Sequence, residues 1–235
     1  MLRRMRLTHI LFTGILLTGC ASTPSNNPQD PFESYNRSVF KFNESLDKNI
    51  LKPVAQGYNA ALPKPVRTML HNFFSNLDDV CVTFNDLLQG KLKQASSDGS
   101  RVLFNSTFGI FGLFNVTDRL EKHNEDFGQT LGYWGVGSGP YLMLPFFGPS
   151  SVRDGVGMYS DGLTDVILNM HDIPVRNTAY VISKIDTRAG LMEQEKVLDD
   201  VSDRYAFIRD FYLARRQSLV YDGNPPRKKY IDEED

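Results

Sequence analysis

The chain has 235 residues, 41% of them hydrophobic, with 26 Lys and Arg against 28 Asp and Glu, for a formal charge of −2. Mixed charge of this kind leaves no electrostatic footprint for nucleic acid, and two cysteines cannot make a disulfide-rich scaffold. The length suits one domain with a real core, and no internal repeat divides it.

Residues 1–19 read as a secretory signal. Arg3, Arg4 and Arg6 precede a mostly apolar run from Leu7 to Leu17, too short to span a bilayer as a helix. The run ends in Leu17-Thr18-Gly19-Cys20, a lipobox in which Cys20 becomes the acylated N-terminus. Two anchoring signals already hold a protein stably on a membrane, so a triacylated Cys20 is a permanent anchor. Ala21 follows instead of Asp, which favours the outer membrane and its periplasmic side. The signal contains three Arg and no acid, so cleavage takes the formal charge from −2 to −5. With Cys20 acylated, Cys81 has no disulfide partner and reads as a small buried apolar residue.

Residues 20–29 are rich in Ser, Asn and Pro and read as a flexible tether. The folded domain is expected over 30–223. Asp30 as N-cap, Pro31 at the first helical position and Glu33 as the capping-box partner open a first helix. Phe32, Tyr35, Val39, Phe42 and Leu46 form its apolar stripe, and Pro53 is expected to end it. Pro63 and Pro65 introduce a second helix with Val66, Met69, Leu70, Phe73 and Leu77 on one side. Val82–Gln89 reads as a separate short helix stopped by Gly90. A helix over about Leu92–Phe108 leads into Gly109–Phe114, a flexible and very apolar link.

Glu125–Gly157 organises the rest, with eight of the 18 glycines and three of the 12 prolines. No long helix can cross Gly128–Pro149, yet the stretch is apolar and aromatic. Its backbone must be satisfied inside protein or along a wetted cavity. Two readings follow from the residues: a buried, packed loop with a short hairpin, or a mobile wall of an apolar passage. Beyond it, Ser150 or Ser151 caps a helix carrying Arg153 and Asp154. Pro174 opens another helix with Val175, Ala179, Ile182 and Ile185 on one face. A last helix runs from about Ser202 to Val220, and the 224–235 tail is expected to be disordered. Strands are weakly signalled, so the expected fold is all-α.

Catalytic and metal signals are weak. Gly137-Ser138-Gly139 lacks the outer glycines of a nucleophile elbow. His71, His123 and His171 are far apart in sequence, and His123-Asn124-Glu125-Asp126 lacks paired metal-ligand spacing. Neither a phosphate-binding loop nor a dinucleotide fingerprint is present. Arg153/Asp154, Asp186/Arg188 and Arg209/Asp210 read as structural ion pairs or helix-end interactions. No catalytic residue, metal or cofactor is assigned.

One family resemblance is long and ordered. Phe127-Gly128-x-Thr130-Leu131-Gly132-x-x-Gly135-Val136-Gly137-x-Gly139-Pro140-Tyr141, followed by Leu144-Pro145-Phe146-x-Gly148-Pro149-Ser150-x-x-Arg153-Asp154, resembles the MlaA/VacJ family of phospholipid-handling outer-membrane lipoproteins. Asp30-Pro31-x-Glu33-x-x-Asn36-Arg37, Phe42-Asn43, Asn72-Phe73, Asn76-Leu77, Ile185-Asp186-Thr187-Arg188-Ala189, Asp203-x-Tyr205 and Arg209-Asp210-x-Tyr212 extend it over Asp30–Gly223. Val80 stands where the family usually has Pro, and Asn115 where it has Asp. The resemblance implies a ring-like body of amphipathic helices in the inner leaflet of the outer membrane. It implies an amphipathic channel that takes mislocalised phospholipids from the outer leaflet to a periplasmic MlaC-like carrier, beside a trimeric porin. Gly135, Gly137 and Gly139 then correspond to a hinge loop at the channel, and Phe42 and Asn43 are candidates for setting its resting state. A structural porin-docked lipoprotein that moves nothing, or a lipid hydrolase, are the rival readings.

Overall fold

A computed structural model of the chain describes residues 27–226. Cys20, the signal and most of the expected tether and tail lie outside the described residues.

The first helix, α1 (Glu33–Leu46), starts at Phe32 without a side-chain cap. The expected capping role of Asp30 is not realised, because its carboxylate is fully buried and serves the interior. It accepts from Asn36 Nδ2 (2.8 Å), the Tyr205 hydroxyl (2.5 Å) and Arg209 Nη1 (3.2 Å). Several donors, one of them charged, stabilise a buried carboxylate far better than one exposed capping bond does. Pro53 does not end the helix either. A π-turn (Asp47–Leu51) widens the rod just before it, and α2 (Lys52–Ala61) continues with Pro53 in its first turn. A proline there lacks an N–H that the helix start does not need, and the wider turn accommodates its ring.

Next, α3 (Lys64–Leu88) is one continuous helix of 25 residues, with Pro65 in its first turn. The short helix expected over Val82–Gln89 is its last part; the chain turns only at Gly90, where φ is +73°. Then α4 (Leu92–Thr107) packs along α3. Ile110, Phe111 and Gly112 follow in left-handed conformations, a turn set by the backbone and not a featureless link. The organising stretch gives α5 (Phe127–Tyr133) and an antiparallel hairpin, β1 (Tyr141–Leu144) and β2 (Gly148–Ser151), with Tyr141 opposite Ser151 and Leu144 opposite Gly148. This small sheet is an addition to the all-α expectation. Ser151 caps α6 (Val152–Thr164), its side chain accepting from the Asp154 N–H. Asp172 and Asp203 cap α7 (Ile173–Gly190) and α8 (Arg204–Val220) in the same way.

Packing closes a circuit. The α1 helix lies on β1, and β2 lies on α8 and α6. The α8 helix meets α5, α5 meets α3, α3 meets α7, and α7 returns to α2, which joins α1 through the π-turn. This matches the expected ring-like order of helices. A small cluster of Tyr141, Met143 and Tyr205, with Val39, Phe40, Tyr212 and Leu213 against it, fixes α1, the hairpin and α8 together.

The polarity of the body is inverted. The buried residues of α3 are Asn76, Asp79, Val82, Asn85 and Asp86, and those of α4 are Ala95, Asp98, Arg101 and Asn105. On α1 the buried residue is Asn36, while Phe32, Tyr35 and Phe42 of the expected apolar stripe are exposed. Phe108, Phe111, Phe146, Tyr159 and Leu163 are each at least 66% exposed. An ordinary water-soluble helix buries its apolar stripe; these helices turn much of it outward.

Candidate functional site

The hairpin presents the outer edge of β1 to α1, and two asparagines of α1 satisfy it. Asn36 Oδ1 accepts from the Met143 N–H (2.8 Å), and its Nδ2 donates to the Tyr141 carbonyl (3.1 Å). Asn43 repeats the contact one step along: Oδ1 accepts from the Phe146 N–H (2.9 Å), and Nδ2 donates to the Leu144 carbonyl (2.9 Å). The spacings agree. Seven residues of helix rise about 10.5 Å, and three residues of strand rise about 10 Å. A carboxamide offers a donor and an acceptor side by side, which suits a strand edge. Phe42 adds an edge-to-face contact with Phe146 at 5.3 Å. Phe146 is held at φ +68°, a strained conformation for an aromatic residue, at the hairpin tip. Both sequence candidates on α1 therefore meet the hairpin. Asn36 was visible only as a motif position, although its seven-residue spacing from Asn43 places both on one helix face.

The Gly135–Gly139 segment connects α5 to β1 and lies largely on the surface. Gly135 (φ +90°) and Gly139 (φ +67°) adopt left-handed conformations; Gly137 does not. A Cβ on Gly135 or Gly137 would meet open space, whereas one on Gly139 would meet Val152 Cβ at 3.2 Å. The loop is moored at its end by α6. The Arg153 N–H donates to the Ser138 carbonyl (3.1 Å), the Val152 N–H to the Pro140 carbonyl (3.2 Å), and Arg153 Nη1 to the Val136 carbonyl (3.4 Å). The hairpin part of the stretch is packed, as the first reading expects, and the loop before it is exposed.

Beneath the loop an ionic network joins α5, α6 and α8. Arg216 donates to Asp126 (2.5 and 2.8 Å) and to Asp154 (3.0 Å). Asp154 also accepts from the Tyr212 hydroxyl (2.6 Å) and Arg153 Nε (3.0 Å). Burial pushes the Asp154 carboxyl up, but Arg216, Tyr212 and Arg153 outweigh it and hold the group below its ordinary range. Burial and the Asp154 bond hold the Tyr212 phenol neutral. Arg153/Asp154 and Arg209/Asp210 are ion pairs as expected. Asp186 and Arg188 pair elsewhere: Asp186 with His71 (3.0 Å) and Tyr58 (3.0 Å), and Arg188 with Asp47 (2.6 and 2.8 Å) and Glu195 (2.9 Å).

His123 bonds Asp98 (2.6 Å), and the Ser138 hydroxyl donates to the Gly139 carbonyl (3.3 Å). Among the described residues no group of three or more His, Cys, Asp or Glu is placed to hold a metal ion. Cys81 is half-buried, not fully buried, with Sγ 2.9 Å from the Thr164 hydroxyl; burial pushes its thiol up to about 11. It is no thiolate nucleophile.

This helix–hairpin–loop unit lies inside a region, residues 28–219, that matches the family model described as MlaA lipoprotein. The chain belongs to the MlaA lipoprotein family. It is 35% identical over 230 residues to the Escherichia coli K12 protein named intermembrane phospholipid transport system lipoprotein MlaA, covering 94% of this chain and 90% of that one. The Haemophilus influenzae protein of the same name is 29% identical over 228 residues, covering 91% and 89%. A solved structure described as "Structural basis for maintenance of bacterial outer membrane lipid asymmetry" superposes with a TM-score of 0.72 at 33% identity, covering 83% of this chain and 99% of that one. The mostly helical MlaA fold is thus shared along nearly the whole described body.

Proposed function

We propose that the protein is an outer-membrane phospholipid-transport lipoprotein, anchored through Cys20 on the periplasmic side. It takes mislocalised phospholipid from the outer leaflet through an amphipathic passage and gives it to a periplasmic MlaC-like carrier, beside a trimeric porin. It performs no bond chemistry on the lipid.

The inversion of polarity carries this reading. Exposed apolar area on this scale is costly in water and favourable among acyl chains. No helix among the described residues is long and apolar enough to cross a membrane, which fits helices lying in one leaflet. A polar interior has the matching use. A phosphate headgroup loses several kcal/mol when it enters hydrocarbon without hydrogen bonds, and a wetted polar wall removes most of that barrier. In this reading the Gly135–Gly139 loop is the yielding part of the passage, and α1 sets its resting position by holding the hairpin.

The deciding experiment is lipid mass spectrometry of the mature, membrane-extracted protein, together with outer-leaflet phospholipid in a strain lacking it. Co-purifying phospholipid and a raised outer-leaflet level are expected; a lipid-free protein and an unchanged leaflet reject the reading. Within it, Asn43→Ala frees the Phe146 N–H and Leu144 carbonyl. A stability loss of about 1 kcal/mol, with raised outer-leaflet phospholipid and detergent sensitivity at normal abundance, is expected. Wild-type leaflet composition in a stably expressed variant would remove α1 from the gating role.

A further inference from the structure

Distant from the hairpin latch in sequence, the end of α3 buries an acid that nothing there pairs. Asp86 is 0% exposed, and both of its carboxylate oxygens lack a hydrogen-bond donor. Its charged neighbours are committed elsewhere. Asp98, from α4, takes the His123 ring (2.6 Å) and the His123 N–H (3.2 Å). Glu125 takes Gln89 (2.8 Å) and Lys91 (2.8 Å), and Lys91 also holds Asp222 beyond α8 (2.6 Å). Arg101 of α4 gives its Nε to Asp79 at 3.2 Å. Asp98 and Glu125 lie close enough to press their charge on Asp86, and their own donors are used up.

We propose that Asp86 is a proton-binding site of the folded protein, held as the neutral acid at the junction of α3, α4 and the 117–126 segment, and that its ionisation loosens that junction. A buried carboxylate with no donor and two like charges nearby is the least favourable charge state available there. Burial first, then Asp98 and Glu125, push Asp86 up to about 7, while His123 and Lys91 act the other way. His123 and Glu125 both line an open cleft of about 700 Å³ between the start of α4 and the end of α8. The junction bears on the rest of the body, since Gln89 bridges Glu125 to Thr130 of α5.

The sign follows from linkage. The folded state keeps this proton when the unfolded state has lost it, so the group costs nothing below its ordinary value of 3.8. Its destabilisation grows as the pH rises from there to about 7, then stays constant. The test compares the lipidated protein with Asp86→Asn and Asp86→Leu in detergent, following the unfolding equilibrium from pH 4 to pH 8. Relative to wild type, the folding constant of each variant should rise by up to tenfold per pH unit between about 4 and 7. Only the slope decides, so a variant that is weaker at every pH still tests the site. A protonated-carboxyl infrared band at pH 6 that is weaker in Asp86→Asn than in wild type by the share of one carboxyl is the direct signature, since Asp161, pushed up to about 6, contributes to the band in both. Parallel pH profiles, or an unchanged band, overturn the proposal. It does not depend on phospholipid transport, and its failure would leave that reading intact.

Discussion

Two sets of glycines within one stretch do opposite things. Gly128, Gly132 and Gly157 let elements approach; Gly135 and Gly137 stand in open space. A Cβ on Gly157 would come within 2.7 Å of Gly128 Cα, and one on Gly128 within 2.7 Å of Asp154 Oδ1 and 2.8 Å of Arg216 Nη2. A Cβ on Gly132 would meet Arg153 Nη1 at 2.7 Å and Val220 Cγ2 at 2.8 Å. The α5–α6 crossing thus uses glycine to bring backbones together over an ionic network, whereas the loop that follows uses it for conformation alone. The same residue type thus serves close packing and open backbone conformation a few positions apart.

The largest test of this contrast is Gly157→Ala. Its methyl group meets backbone atoms of Gly128, which cannot rotate away as a side-chain tip can. We expect a loss of about 3 kcal/mol, at the upper end for overpacking, read as a fall in melting temperature and abundance. An unchanged melting temperature would show that α5 and α6 can part freely and that the base is not rigid.

Arg153 ties the two regions together and gives the next effect. Its side chain is buried, pairs with Asp154, and reaches the Val136 carbonyl in the loop. Removing one partner of a buried pair commonly costs about 3–5 kcal/mol. Asp154 keeps Arg216 and Tyr212, so Arg153→Met is expected to cost less, about 2 kcal/mol. Amide exchange over residues 136–139 should quicken at the same time. Stability loss with unchanged loop exchange would mean that the loop is moored by the Ser138 and Pro140 backbone bonds alone.

How much of this could be read beforehand depends on what each signal encodes. Local chemistry was legible: the Ser151 cap, the stop at Gly90, and a hairpin within the Gly- and Pro-rich stretch all follow from neighbouring residues. Tertiary choices were not. The stripe of Phe32, Tyr35 and Phe42 is real, but periodicity says only that α1 has two faces; the surrounding medium decides which one turns inward. Asn36, Asp79 and Asp86 are polar helix residues whose inward position no local signal announces, yet all three are fully buried. Pro53 is a helix stop by propensity, and the π-turn that spares the rod is held by Arg188 of α7, a contact 141 positions distant from Asp47. Gly128 and Gly157 could be seen as glycines, but their contact exists only once two helices cross.

The smallest expected effects decide whether the loop works by compliance. Gly135 has φ +90°, where a Cβ is strained whatever the space, so Gly135→Ala should cost about 1 kcal/mol. Gly137 lies outside the left-handed region and has no neighbour within 4 Å of an added Cβ. Gly137→Ala should therefore stabilise by about 0.4–1 kcal/mol, because it restricts the unfolded chain. In the double variant the two terms nearly cancel, and a folded protein of normal abundance and near wild-type melting temperature is expected. Gly137→Ala is the sharper probe, since it stiffens the segment without strain or collision. If the passage needs the loop to yield, this variant raises outer-leaflet phospholipid although it melts no lower than wild type. Stability and transport then move in opposite directions, which a packing role cannot produce. Full transport by Gly137→Ala and by the double variant would show that glycine flexibility is not required, and that Gly135 serves only to let the chain turn from α5 towards the hairpin.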